Sequence, residues 1–288
     1  MMKKTFILLL VLTSFVFSCS DDDDNTSNTL TLNLQGLEAL GDDFVYEGWI
    51  IVNGAPISTG VFSSVTFPQE FTVSAKDLQL ATTFVLSIEP KNDTDPAPSN
   101  TKILAGDFAL NQAIINSKAV VGDFSESSGK YILATPTNGN NTNEFSGVWF
   151  LDLSSGSPAT GLDLPELNSG WKYEGWVVMN GQPISTGTFS SVSGFDDNAT
   201  TSTFKGSIND GPPFPGEDYI QNAPTGLTFP TDLRGAVTVI SVEPYPDNSS
   251  APFAFKPLMA NIPTNAADHA TLSLTVGPLS ELTGTVSR

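Results

Sequence analysis

The chain has 288 residues, with 31 acidic against 12 basic side chains and a formal net charge of -19. That excess of carboxylates excludes the basic footprint that nucleic-acid phosphates require, and it disfavours docking on anionic lipid. Charged residues are only 15% of the total, while 24 Gly and 20 Pro accompany abundant Ser and Thr, the texture of a secreted all-β protein with many turns.

Lys3 and Lys4 precede an apolar run from Phe6 to Phe17. The run is about a dozen residues, short of the roughly 20 that a membrane-spanning helix needs, so it is expected to be a targeting segment. It ends in Val16-Phe17-Ser18-Cys19, which resembles a bacterial lipobox. Residues 1–18 are therefore expected to be a lipoprotein signal peptide and Cys19 the lipidated residue; the competing reading is a free thiol near an ordinary secretion site. Acyl chains contribute about 0.8 kcal/mol per buried methylene, so more than one chain anchors a protein stably to a membrane. Cys19 is the single cysteine, which leaves the remaining chain to be stabilised without disulfides.

Asp21–Asp24 open a polar stretch to Asn28. Residues 19–28 are expected to form a self-repelling, extended tether. The stretch also resembles the acidic export signal of Bacteroidota lipoproteins, which implies an outer-membrane, surface-exposed location. Consecutive carboxylates without a turn-forming Gly do not match an EF-hand-type loop, and neither metal nor cofactor is expected.

Period-two alternation in Leu30–Leu34 predicts a half-buried strand. A hairpin follows, with β-rich runs at 44–52 and 56–62 joined by Asn53-Gly54, a pair suited to a type I′ turn. Alternation puts Tyr46, Gly48, Ile50 and Val52 on one face and Glu47, Trp49 and Ile51 on the other. The whole block Tyr46–Val65 returns at Tyr173–Val192, with 15 of 20 positions identical. A second repeated strand pairs Phe84–Pro90 with Thr238–Pro244, and Gly129 echoes Gly284 after similar Val-Gly and Ser-Glu pairs. These repeats predict two copies of one domain, each a β-sandwich, at residues 29–136 and 145–288. Residues 137–144, rich in Asn, Gly and Thr, read as a linker. Copy two carries extra Gly/Pro-rich material within 193–226, expected to be a surface loop.

The pattern Tyr-x-Gly-Trp-(aliphatic)3-Asn-Gly-x-Pro-(aliphatic)-Ser-x-Gly-x-Phe, followed by Ser-(aliphatic)-Glu-Pro, resembles the extracytoplasmic C-terminal domain of the anti-sigma-K factor (RskA) family. The matching positions are Tyr46, Trp49, Gly54, Pro56, Ser58, Gly60, Phe62, Glu89 and Pro90, and again Tyr173, Trp176, Gly181, Pro183, Ser185, Gly187, Phe189, Glu243 and Pro244. The resemblance implies a sensory or binding module. Members of the family also carry a cytoplasmic sigma-binding domain and a transmembrane helix, and neither is legible here, so no direct contact with a cytoplasmic sigma factor is expected.

No catalytic constellation stands out. His269 is the single histidine, in a loop-like Asn265–Ala270 stretch, and copy one has none. The residues best suited to a specific role are the twice-written Glu47, Trp49 and Glu89, with Glu174, Trp176 and Glu243. Paired carboxylates can do glycosidase-type acid/base work, and an aromatic ring beside a carboxylate can hold a sugar or peptide. The competing reading has Trp and Tyr filling the core while Glu bonds backbone in a turn. The expected function is a non-enzymatic envelope lipoprotein that binds, scaffolds or senses an envelope protein or glycan. The alternatives are a glycan-processing surface lipoprotein and a stress sensor upstream of a separate anti-sigma partner.

Overall fold

A computed structural model describes residues 26–246, 249–279 and 281–288. The expected signal segment, Cys19 and Asp21–Asp24 lie outside the described residues. The first half of the chain builds β1 (Ser27–Leu34), β2 (Phe44–Val52), β3 (Ala55–Phe62), β4 (Gln69–Ser74), a short helix α1 (Ala75–Leu80), β5 (Ala81–Pro90), β6 (Lys102–Ala109), β7 (Gln112–Asn116) and β8 (Ser128–Leu133). The second half builds β9 (Gly147–Trp149), β10 (Leu151–Asp152), β11 (Ala159–Thr160), β12 (Leu162–Asp163), β13 (Trp171–Met179) and β14 (Gln182–Phe189). It closes with β15 (Gly216–Asp218), β16 (Val237–Pro244), β17 (Phe255–Asn261), β18 (Leu272–Leu279) and β19 (Thr283–Ser287). The fold is all-β, as the alternating patterns require.

The strands form two large antiparallel sheets, ordered β3-β2-β5-β6-β7-β19-β1-β4 and β14-β13-β16-β17-β18-β8-β9-β15, with β12 also on β8 and β10-β11 a separate small hairpin. Each sheet curls until its two edges meet: β3 packs on β4 and β14 on β15. Phe62 of β3 lies 5.6 Å from Phe71 of β4, ring to ring. Curling of this kind lets one sheet enclose its own apolar face.

The repeated block makes the same hairpin twice. Tyr46 pairs with Phe62 and Trp49 with Ser58, just as Tyr173 pairs with Phe189 and Trp176 with Ser185. The Asn-Gly turns have the expected positive φ, 52° and 81° at Asn53 and Gly54, 52° and 80° at Asn180 and Gly181. Both hairpins carry a bulge between the glycine and the tryptophan. There a Cβ on Gly48 would lie 2.5 Å from Thr59 Oγ1, and one on Gly175 2.2 Å from Thr186 Oγ1. Close approach of the bulged strand is what requires glycine before Trp.

Tyr46, Ile50 and Val52 point into the core, as do Tyr173, Val177 and Met179. Tyr46 OH donates to Glu38 O and Tyr173 OH to Pro165 O, each at 2.7 Å, so the buried phenols are satisfied. Burial pushes both phenols well above the usual tyrosine range. One continuous apolar cluster runs through both sheets, and Trp171 Nε1 of the second half donates to Lys102 O of the first at 3.2 Å.

The expected division of the chain at 137–144 does not match the sheets. β8, the last strand before it, belongs to the second sheet, and β19, the last strand of the second half, belongs to the first. Ile132 and Leu133 of β8 pair with Trp149 and Val148 of β9, so 137–144 is a hairpin loop. It is firmly held: Thr137 N donates to Asp218 Oδ2 at 2.8 Å and Thr135 N to Glu144 Oε2 at 3.0 Å. Polar turn formers suit a hairpin loop and a linker equally, which is why composition alone misplaces the boundary. The 193–226 segment is also more than a surface loop, because it supplies edge strand β15 and the buried Glu217, Asp218 and Tyr219.

Candidate functional site

On the outer face of each hairpin the twice-written residues form one relay. Trp49 Nε1 donates to Ser87 Oγ at 2.8 Å, Ser87 Oγ donates to Glu89 Oε1, and Ser99 N donates to the same carboxylate oxygen at 2.9 Å. In the second repeat Trp176 Nε1 donates to Ser241 Oγ at 2.8 Å, and Ser241 Oγ donates to Glu243 Oε1. Phe253 N donates to both oxygens of Glu243, at 3.0 and 3.2 Å. All of these Trp, Ser and Glu side chains are buried. The cross-strand register makes the relay: Glu47 stands opposite Ser87 and Glu174 opposite Ser241, placing each Trp and each strand-end Glu on neighbouring diagonals.

The predicted pairs are therefore brought together, as parts of a clamp. Each strand-end Glu ties the loop that follows its strand back onto the sheet. Burial raises the Glu89 carboxyl above its usual value, against the bonds from Ser87 and Ser99, with Glu47 and Asp93 adding to the rise. Glu89 Oε2 has no hydrogen-bond partner among the described residues. Glu47, half-buried, and Glu174, buried, accept from the hydroxyls of Ser58 and Ser185 across the bulge. Glu174 and Trp176 also line a hollow of about 460 Å³ with Gln182, Ile184 and Phe204.

A large concavity lies between the two repeats. It has a volume of about 710 Å³ and is walled by Glu38–Asp42, Phe44, Pro90 and Ser99–Thr101 on one side and by Pro244–Pro246 and Ser249–Phe253 on the other. The walls include the loops the two relays hold, where Ser99 N donates to Glu89 and Phe253 N to Glu243. None of the six predicted residues faces this cleft; Pro90 and Pro244, one position beyond the clamping glutamates, do. Its lining is mostly apolar, with Phe44, Tyr245 and Phe253 as the aromatic groups and Glu38 and Asp42 as the charged ones. Lys256 reaches Glu38 from across the repeat boundary at 3.6 Å, and Lys172 lies 4.1 Å from the centre of the Tyr245 ring. This site escaped the sequence reading because its two walls are about 150 residues apart in the chain.

A second group missed in the sequence is a knot of buried carboxylates in the 193–226 segment. Asp218 accepts from Trp149 Nε1 at 2.8 Å and from the backbone and hydroxyl of Thr137. Glu217 accepts from Ser202 Oγ and from Asp218 N at 2.9 Å, and Asp196 from Gly216 N at 3.1 Å. Burial pushes Asp196 and Asp218 up to about 6 and Glu217 up to about 8, with neighbouring carboxylates adding to each rise. These residues lack the spacing of any motif, so no sequence signal marks them.

His269 sits on the surface with φ 54°, its ring 3.6 Å from Asp268 and 3.9 Å from Glu144. Among the described residues no group of three or more His, Cys, Asp or Glu side chains could hold a metal, and no helix is long and apolar enough to cross a membrane.

The family described as anti-sigma-K factor rskA, C-terminal, matches residues 22–102. That stretch covers β1 to the start of β6, including the first hairpin and the Glu89-Pro90 strand end, and to this extent the chain is similar to an anti-sigma-factor extracytoplasmic domain. No curated protein and no solved structure matches the chain.

Proposed function

We propose that this protein is a non-enzymatic lipoprotein of the bacterial cell envelope, lipidated on Cys19 and displayed on the outer membrane, in which two duplicated anti-sigma-K-like domains bind a ligand in the cleft between them. The observation that carries this reading is the cleft itself. Its volume of about 710 Å³ falls in the range of small-molecule sites, and equivalent loops of both repeats form its walls. The Trp-Ser-Glu relays preorganise those loops, which lowers the ordering cost of binding. Buried carboxylates already engaged by serine hydroxyls and backbone amides suit such a clamp better than acid/base chemistry, which needs carboxyls within reach of a substrate.

An apolar lining whose own charges are acidic favours a neutral ligand with an apolar face, a glycan or a segment of an envelope protein, over an anionic one. Tyr245, 53% exposed beside the cleft, favours the glycan, held by ring stacking and not cleaved. The module would act without touching a cytoplasmic sigma factor. Titration of the isotopically labelled mature protein with neutral oligosaccharides tests the reading. Shifts should concentrate at residues 99–101 and 249–253, and Phe44→Ala with Tyr245→Ala should abolish them. Binding that survives both substitutions, or release of cleaved sugar that Glu47→Gln and Glu174→Gln eliminate, overturns it. Lipidation is tested separately: labelled palmitate should enter the wild type and not Cys19→Ser, and protease added to intact cells should digest the protein.

A further inference from the structure

The two sheets have the same order, and they trade one strand. Gly129 and Gly284 occupy matching places in the repeat, 155 positions apart, so β8 and β19 are the corresponding last strands of the two repeats. Yet β8 lies between β18 and β9 of the second sheet, and β19 between β7 and β1 of the first. Had each repeat folded on itself, β8 would fill the place between β1 and β7. The exchange is reciprocal, which is domain swapping carried out within one chain.

Side-chain size explains why the strands are not equivalent. Leu282, Gly284 and Val286 of the incoming segment alternate toward the first core, with Leu282 1% and Val286 0% exposed. Val286 sits between Leu32 and Ala113, its cross-strand partners, both fully buried. The corresponding residue of β8 is Tyr131, 1% exposed and opposite Leu272. A tyrosine beside Ala113 overfills the first core, and a valine at 131 leaves a cavity in the second. Gly284 is demanded by closeness: a Cβ there would lie 2.7 Å from Leu34 Cβ and 2.8 Å from Asn33 O.

The end of the segment is read as well. Arg288 lies with its guanidinium 4.3 Å from the centre of the Phe108 ring and donates to Ala81 O and Leu110 O at 2.8 Å and to Leu78 O. Its backbone N donates to Asn111 O at 3.0 Å. At the other end Leu282 N donates to Ser117 Oγ at 3.2 Å and Ser117 N to Leu282 O at 3.1 Å.

We propose that the groove between β1 and β7 is a strand-acceptor site selective for an extended Leu-x-Gly-x-Val-x-Arg segment, and that residues 281–288 are its ligand, donated by the second repeat. Backbone pairing on both sides supplies affinity, and the four inward positions supply selectivity, the logic of strand addition to a sheet. The inference is independent of the cleft between the repeats.

The test is complementation in trans with the chain lacking residues 281–288 and a synthetic peptide of those eight residues. The truncated chain should lose hydrogen-exchange protection at Leu32, Leu34, Ala113 and Ile115. The peptide should bind one-to-one and restore that protection. A peptide carrying Gly284→Val should bind at least about 100-fold more weakly because backbone must move, and Arg288→Ala about tenfold more weakly. A peptide of residues 126–133, the β8 segment, should fail to compete. If the truncated chain is unfolded by itself, refolding from urea with the peptide must recover the sheet signal in circular dichroism. Wild-type protection without peptide, equal binding of the β8 peptide, or no recovery on refolding each overturns the proposal.

Discussion

Ser241→Ala removes one hydroxyl, and the relay geometry sets what that costs. The Ser241 side chain is fully buried and serves two neighbours: it accepts from Trp176 Nε1 at 2.8 Å and donates to Glu243. Without it the indole N–H has no acceptor in place, a desolvation penalty of about 1–3 kcal/mol. Glu243 keeps both bonds from Phe253 N but loses a charge-assisted donor, worth about 1.5–3 kcal/mol. The loss expected is about 3 kcal/mol, the two effects overlapping because they share one group. Ser87→Ala should cost at least as much, since Glu89 would retain only Ser99 N. Urea denaturation followed by tryptophan fluorescence gives the loss as a change in midpoint at constant m-value, with exposed Ser155→Ala as a control expected within about 0.5 kcal/mol. A double-mutant cycle sharpens the test. Trp176→Phe removes the stranded N–H, so the Trp176→Phe/Ser241→Ala double variant should be about 1 kcal/mol more stable than additivity predicts. A Ser241→Ala protein within about 0.5 kcal/mol of wild type, or strict additivity in the cycle, would refute the relay as a source of stability.

The buried carboxylates predict an unusual pH dependence. Asp196, Asp218 and Glu217 have folded-state values near 6, 6 and 8, above their ordinary 3.8, 3.8 and 4.5. The folded state thus binds more protons than the unfolded state between about pH 4 and 8, and stability should fall as pH rises through that window. A single group displaced by two units accounts for about 3 kcal/mol; chemical denaturation at pH 5 and pH 8 measures the difference, and Glu217→Gln should flatten its upper half. Greater stability at pH 8 than at pH 5 would contradict the assignment. Gly175→Ala should destabilise by about 2–3 kcal/mol and more than Gly48→Ala, because the new methyl meets both Thr186 Oγ1 at 2.2 Å and Phe150 Cε2 at 2.7 Å; thermal melts of the two variants give the ranking. Thr137→Val should cost about 2–3 kcal/mol, since its hydroxyl both donates to Asp218 and accepts from Gly206 N at 2.8 Å, and an unchanged melting temperature would show that the 137–144 loop is not pinned as described.

Much of the local structure was legible in the residues. Alternation in Leu30–Leu34, the Asn-Gly pairs and the repeated Tyr-x-Gly-Trp block located strands, turns and inward faces, because these depend on backbone φ and a two-residue period. The repeat drew attention to six polar and aromatic side chains, and the structure joins four of them, Trp49 with Glu89 and Trp176 with Glu243, through a serine each. Burial of the tryptophans with glutamates bonding backbone was one of the two readings the residues left open; the serine links were out of reach, because Ser87 and Ser241 bear no motif and meet the tryptophans only through cross-strand register.

The amino-acid sequence by itself determined which segments become strands, which of their side chains face inward, and that one hairpin is built twice. Those are consequences of chemistry within a few residues. Only the tertiary structure decided which strand lies beside which. That choice pits Val286 against Tyr131 for a place next to Ala113, and it turned an apparent linker into a hairpin loop and set two loops face to face around a cleft. Pairing between distant strands rests on volume and close backbone approach at the contact, quantities that exist only once both partners are in place.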